Sequence, residues 1–201
     1  PDTTTLLPSA ASDVYKRQDK GSFLGEFETE KMSKSKYNVV NPDDIVARYG
    51  SDCFRLYSMF LGPIEEHKPW NNQGIDGVHR FMNKFWRLIK ASKDIILEAS
   101  EAKSSLQILH TLIEKVDRDL PKLSLNTCVS AFMIAVNDWQ KLDKLPQETM
   151  KEALRLIAPF APVYAQYGWE LLDGEGYVLD QGWPKFDASF CLLYTSDAAD
   201  E

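Results

Sequence analysis

From Val78 onward, apolar residues recur every three or four positions, which is the period of a helix that buries one face. Val78, Phe81, Met82, Phe85, Leu88, Ile89 and Ile96 form one stripe. Leu106, Leu109, Leu112, Ile113 and Val116 form a second, ending near Pro121. Val129, Phe132, Met133, Val136 and Trp139 make a third. Met150, Leu154 and Ile157 lie on a fourth, opened by Pro146 at a first-turn position. Pro159 and Pro162 separate it from a last helix carrying Tyr164, Tyr167, Trp169 and Leu172. Short connections between such helices predict a mainly α chain folded as an antiparallel bundle.

Ahead of the bundle the pattern is less regular. Gly21 to Glu30 alternates loosely around Phe23, Leu24 and Phe27, which suits a strand or hairpin arm. A cationic loop, Lys31-Met32-Ser33-Lys34-Ser35-Lys36, comes next. Asn41-Pro42-Asp43 reads as a turn into a helix, with Asp43 and Asp44 at its positive end. That helix stops at Gly50, and Ser51-Asp52 can cap another through Phe54, Leu56, Tyr57 and Phe60. Pro63 to Gly74 reads as an irregular linker.

The two ends share an unusual relationship. Ser9 to Gln18 can be written as tcg gca gcg tca gat gtg tat aag aga cag. The reverse complement, read one base in, encodes the residues from Cys191 to Ala199 and opens an Asp or Glu codon at the position of Asp200. One oligonucleotide thus accounts for both ends in opposite orientations, and it resembles a transposase-type library adapter read through as coding sequence. Residues 1–18 and 191–201 are therefore expected to be foreign, and 19–190 to be an internal piece of a longer protein.

The whole chain has 201 residues and a formal charge of −7. Removing the two tails leaves 21 basic and 25 acidic residues, or −4. This balance argues against a general nucleic-acid coat but leaves room for a local basic face. No apolar run approaches the ~20 residues of a membrane span. Cys53, Cys128 and Cys191 make neither a disulfide framework nor a zinc spacing, so a reducing cytoplasm and the absence of a metal site are the expectations.

Two features carry chemistry. The Lys31–Ser35 loop offers two ammonium groups and two hydroxyls on a segment with little structural bias; it is either a polyphosphate clamp or a solvated basic loop. Between Gly77 and Lys93 there is no acidic residue, yet Arg80, Lys84, Arg87, Lys90 and Lys93 recur at helical spacing. Such a face either contacts the phosphates of a folded RNA or is a solvated surface whose long stems cover core edges. Phe85, Trp86, Trp139 and Trp169 read as core, and Cys53 and Cys128 as inert residues on apolar faces.

Lys31-Met32-Ser33-Lys34-Ser35 is also the signature loop of class I aminoacyl-tRNA synthetases, and the residues after it are similar to that family. Asn38-Val39-Val40-Asn41-Pro42, Tyr49-Gly50-Ser51-Asp52 and Arg55-Leu56-Tyr57 follow in its order and spacing. Phe60-Leu61-Gly62-Pro63, Trp70, Gly74-Ile75-Asp76-Gly77, Arg80-Phe81, Trp86, Leu123 to Thr127 and Ser130 to Met133 resemble the leucyl-tRNA synthetases in particular. The valyl, isoleucyl and methionyl enzymes share the loop.

The resemblance implies a division of the chain. Residues 19–73 would be the end of a class I catalytic region with stem helices, 74–173 an anticodon-binding helical bundle, and 174–190 a connector. It implies that the intact protein ligates leucine to tRNA(Leu) with ATP, as a monomer, with magnesium accompanying the nucleotide. Lys34 would be the main phosphate-contacting lysine and Lys31 its helper. Met32, Ser33 and Ser35 would complete the ATP loop, and Arg80, Lys84, Arg87, Lys90 and Lys93 would meet tRNA.

The family's other ATP motif, a His-x-Gly-His segment, has no counterpart around His67, His79 or His110. A charge pair is worth ~1 kcal/mol in water and ~4 at an effective dielectric of 20. Enzymes need ~8–23 kcal/mol. An exposed loop without a closed nucleotide pocket is therefore expected to be catalytically incompetent. A stand-alone RNA-binding helical module is the competing expectation.

Overall fold

The computed structural model describes residues 12–19, 22–29, 31–66, 70–98 and 100–191. Most of the expected foreign tails, and His67, lie outside these residues. Among the described residues the chain is mainly α, with one antiparallel hairpin of β1 (Ser12–Asp19) and β2 (Ser22–Thr29). The register pairs Ser12 with Thr29 and Asp19 with Ser22. The strand expected within Gly21–Glu30 is present, and its partner runs across the expected tail boundary at residue 18.

Seven α-helices follow among the described residues. α1 (Pro42–Tyr49) begins where the Asn41 side chain accepts the Asp43 N–H at 3.2 Å, with a proline and two aspartates in its first turn. Gly50, at φ 86°, breaks it from α2 (Ser51–Phe60). The Ser51-Asp52 cap expected for α2 does not form: Gly50 occupies the cap position, no side chain caps the helix, and Asp52 turns elsewhere.

α3 (Asn72–Ser92) starts inside the expected linker, because Asn71 caps it by accepting the Gln73 N–H at 2.8 Å. It ends earlier than the apolar stripe suggests. Lys93 takes an extended ψ of 132° and Asp94 a φ of 64°, so Ile96 leaves the helix and is 91% exposed. α4 (Lys103–Asp119), α5 (Leu125–Trp139), α6 (Gln147–Ile157) and α7 (Pro162–Leu171) complete the bundle.

The core lies where these faces meet. Trp139, Phe85, Phe132 and Phe160 are all fully buried, Phe85 stacks on Trp139, and the Trp139 indole N–H donates to the Ser105 carbonyl at 3.2 Å. Each buried aromatic of this size contributes several kcal/mol of burial. Trp169 is buried, but Tyr167 of the same expected stripe points outward. Gly168 has a packing reason despite its poor helix propensity, since a Cβ there would sit 2.8 Å from Leu154 Cδ2.

α2 touches α1, α3, α5 and α7, and α3 touches α2, α5, α6 and α7. Within the expected connector, 174–190, the chain straps back over the bundle. The Trp183 N–H donates to Asp117 at 2.7 Å, Arg155 Nε donates to the Gly182 carbonyl at 2.8 Å, and the Asp187 N–H donates to His110 Nδ1 at 3.2 Å. Phe190 lies parallel to the His110 ring at 4.6 Å.

Candidate functional site

The cationic loop is a closed, largely exposed turn. Ser33 precedes a single 3-10 turn over Lys34–Lys36, and Tyr37 ends it in the left-handed region at φ 53°. The Lys36 N–H donates to Ser33 O at 3.1 Å and the Tyr37 N–H to Lys34 O at 3.2 Å. The Ser33 and Ser35 hydroxyls lie 2.7 Å apart. Lys31, Lys34, Ser35 and Lys36 are exposed. Met32 packs partly against the hydrophobic core and so anchors the loop. The arrangement holds Lys34 outward on a short turn, where an ammonium can meet an oxyanion.

One residue that pattern reading passed over as part of this machinery is Asn38, which is only 6% exposed. Its Oδ1 accepts the Ser33 N–H at 2.7 Å and its Nδ2 donates to the Lys31 carbonyl at 3.4 Å. A buried amide beside so many exposed neighbours is a signal only once burial is known.

The five cations of the second feature divide. With 3.6 residues per turn, Arg80, Lys84 and Arg87 fall on one line of α3, away from buried Val78, Phe85 and Ile89. Arg80 and Arg87 are exposed, while Lys84 donates to Asn137 Oδ1 of α5 at 3.1 Å. Lys90 sits to one side, 5.8 Å from the centre of the Trp86 ring. Lys93 follows the last helical residue and lies 3.8 Å from Asp173, apart from the line of the first three.

Next to this line, α1 adds an arginine that sequence pattern gave no reason to select. The Arg48 guanidinium lies over the Tyr49 ring at 4.9 Å, and that ring meets His79 of α3 edge-on at 5.7 Å. The Tyr49 hydroxyl donates to Asp76 Oδ1 at 2.7 Å, which pushes its phenol above the ordinary value. Among the described residues no group of three His, Cys, Asp or Glu side chains stands together as a metal site, and no helix is long and apolar enough to cross a membrane. Burial raises the thiols of Cys53 and Cys128 to about 11.

A cationic loop leading through stem helices into an α bundle defines the class of the molecule. Residues 12–68 match the class I tRNA synthetases for isoleucine, leucine, methionine and valine, and residues 102–199 match the anticodon-binding domain of tRNA ligases. The chain is 46% identical to a leucine–tRNA ligase of Phocaeicola vulgatus over 174 residues, covering 86% of this chain and 18% of that protein. It is 42% identical to the leucine–tRNA ligase of Porphyromonas gingivalis over 192 residues, covering 93% and 21%. The chain belongs to the leucine–tRNA ligase family, and it spans about a fifth of the length of these relatives. Its fold is shared with a LeuRS of Agrobacterium radiobacter K84, solved in a ternary complex with tRNA and LeuAMS. The TM-score is 0.71 at 24% identity, over 81% of this chain and 23% of that one.

Proposed function

We propose that residues 19–190 are the end of the catalytic region and the tRNA-binding bundle of a cytoplasmic, monomeric leucine–tRNA ligase. The intact enzyme activates leucine with ATP to leucyl-adenylate and transfers it to tRNA(Leu). In the first step the leucine carboxylate attacks the α-phosphate and pyrophosphate leaves. Negative charge then gathers on the leaving oxygens, and a preplaced cation lowers the energy of that state. Lys34 supplies this cation, Lys31 assists it, and Met32, Ser33 and Ser35 hold the loop that carries both. Magnesium, travelling with the triphosphate, adds charge neutralisation.

The line of exposed Arg80 and Arg87 with half-buried Lys84 between them contacts tRNA phosphates, with Lys90 at its flank; these groups set register and supply no base reading. The outward presentation of Lys34 on a closed turn is the observation that carries the reading.

The purified chain is expected to bind tRNA(Leu) in a salt-dependent way and to show no leucine-dependent ATP–pyrophosphate exchange. Exchange by this chain alone would show that it holds a complete nucleotide pocket and would overturn the division of labour. Loss of exchange in the intact enzyme on Lys34→Ala supports the phosphate role; undiminished exchange removes it.

A further inference from the structure

Asn38 joins the two ends of the cationic loop. Its neighbours Tyr37 and Val39 are 93% and 45% exposed, yet its own side chain is buried at 6%. One amide group reaches the Ser33 N–H at 2.7 Å and the Lys31 carbonyl at 3.4 Å. The bonds from Lys36 to Ser33 and from Tyr37 to Lys34 close the turn between those ends. The same ring contains a residue under strain, because Tyr37 at φ 53° places a Cβ against the following carbonyl. Left to itself, the backbone at Tyr37 would relax toward negative φ and open the turn. The Asn38 bonds oppose that relaxation.

We infer that Asn38 is a positioning residue for Lys34: it holds the loop in the closed turn that presents the ammonium to phosphate, without touching the nucleotide. This inference rests on the ATP-phosphate reading of the loop. An aspartate there could still accept from Ser33 but could not donate to Lys31, and alanine could do neither. A displaced lysine loses its advantage steeply, since small misplacements of a reacting group are amplified in rate.

The test uses the intact synthetase that carries this sequence, with Lys34→Ala, Asn38→Ala and Asn38→Ala/Tyr37→Gly compared in ATP–pyrophosphate exchange. Lys34→Ala is expected to lower kcat by about a hundredfold, as loss of a transition-state charge contact does. Asn38→Ala is expected to lower kcat by about tenfold, with a smaller effect on KM for ATP. Adding Tyr37→Gly, which removes the left-handed penalty, is expected to restore part of that loss. If Lys34→Ala leaves exchange intact, the phosphate reading itself falls.

If Lys34→Ala disables exchange while Asn38→Ala matches wild type, or if Tyr37→Gly restores nothing, the role given to Asn38 falls. A second readout needs no activity. In the present chain, trypsin is expected to cut after Lys34 and Lys36 about tenfold faster in Asn38→Ala, with helical circular dichroism unchanged, as local opening of a turn implies. Equal cutting rates would also overturn the inference.

Discussion

The Asp52 carboxylate on α2 accepts the backbone N–H of Tyr164, 112 residues away, at 2.6 Å. Tyr164 is the third residue of α7, so Asp52 does from a distance what a local cap does from the preceding residue. One turn further along α2, Arg55 donates to the carbonyls of Pro159 at 3.1 Å and Phe160 at 3.4 Å. The anion meets the start of α7, matching that helix's dipole, and the cation holds the two carbonyls of the connection between α6 and α7.

Replacing Asp52 by alanine leaves the α7 amide without its acceptor and removes the charge from the helix start. The expected loss is about 1–2 kcal/mol, in line with other N-cap deletions. Urea unfolding monitored by circular dichroism measures it; an unchanged midpoint would show that the bond carries no stability.

Gly74 offers a test in which two principles give opposite signs. Helix propensity alone has Gly74→Ala stabilising by about 1 kcal/mol. Packing says otherwise, because a Cβ there would lie 2.7 Å from Tyr57 Cε2. That ring cannot step aside freely: its hydroxyl donates to the Asn71 carbonyl at 2.6 Å and accepts the Asn71 N–H at 3.2 Å. Destabilisation of about 1–3 kcal/mol is expected, the usual cost of overpacking. A stabilised variant in denaturant titration would contradict the argument.

The split among the five cations predicts unequal effects on RNA binding. Arg87→Ala is expected to reduce the slope of log affinity against log salt by about 0.7–0.9, because one phosphate contact is lost. Lys93→Ala, beyond the helix and beside Asp173, is expected to leave the slope unchanged. Fluorescence anisotropy with tRNA(Leu) at several salt concentrations decides between them, and equal slopes for both variants would return Lys93 to the binding face.

The strap over α4 is expected to be acid-sensitive through His110. Burial lowers the His110 pKa, partly offset by Asp187 nearby. Its Nδ1 accepts a bond, so the neutral ring is the folded form. A depressed folded value means that the unfolded chain binds the proton more readily. The stabilisation is therefore complete above the ordinary histidine value and is lost as pH falls through the lowered folded one. Hydrogen exchange at the Asp187 amide is expected to accelerate in that window, and His110→Gln should remove the pH dependence.

The thiols should separate by reactivity. Cys53 and Cys128, buried and raised to about 11, are expected to resist iodoacetamide at pH 8 until the chain unfolds, while partly exposed Cys191 reacts first. Mass mapping of the labelled chain distinguishes this order from simultaneous labelling.

Periodic apolar residues marked the helices before any coordinates, since burial on one face leaves a trace every three or four positions. The cationic loop was legible for a different reason: its chemistry sits in consecutive residues. Ile96 and Tyr167 continued apolar stripes on paper but are exposed, because a backbone break at Lys93-Asp94 and the packing of α7 govern which way they face. Asn38 opened the Asn38–Pro42 stretch that resembles the family, but nothing in the sequence showed that its amide is buried and ties the two ends of the loop.

The chain's order of residues alone determined the helices, the loop that holds Lys34 and the run of cations on α3, all of which are set by neighbours a few positions apart. Tertiary structure alone decided that Asp52 caps α7 rather than α2, that Arg55 holds the carbonyls between α6 and α7, and that Lys93 sits just past the end of α3. Those outcomes depend on groups more than a hundred residues apart, or on where one helix stops, and such distances leave no periodic signal in a sequence.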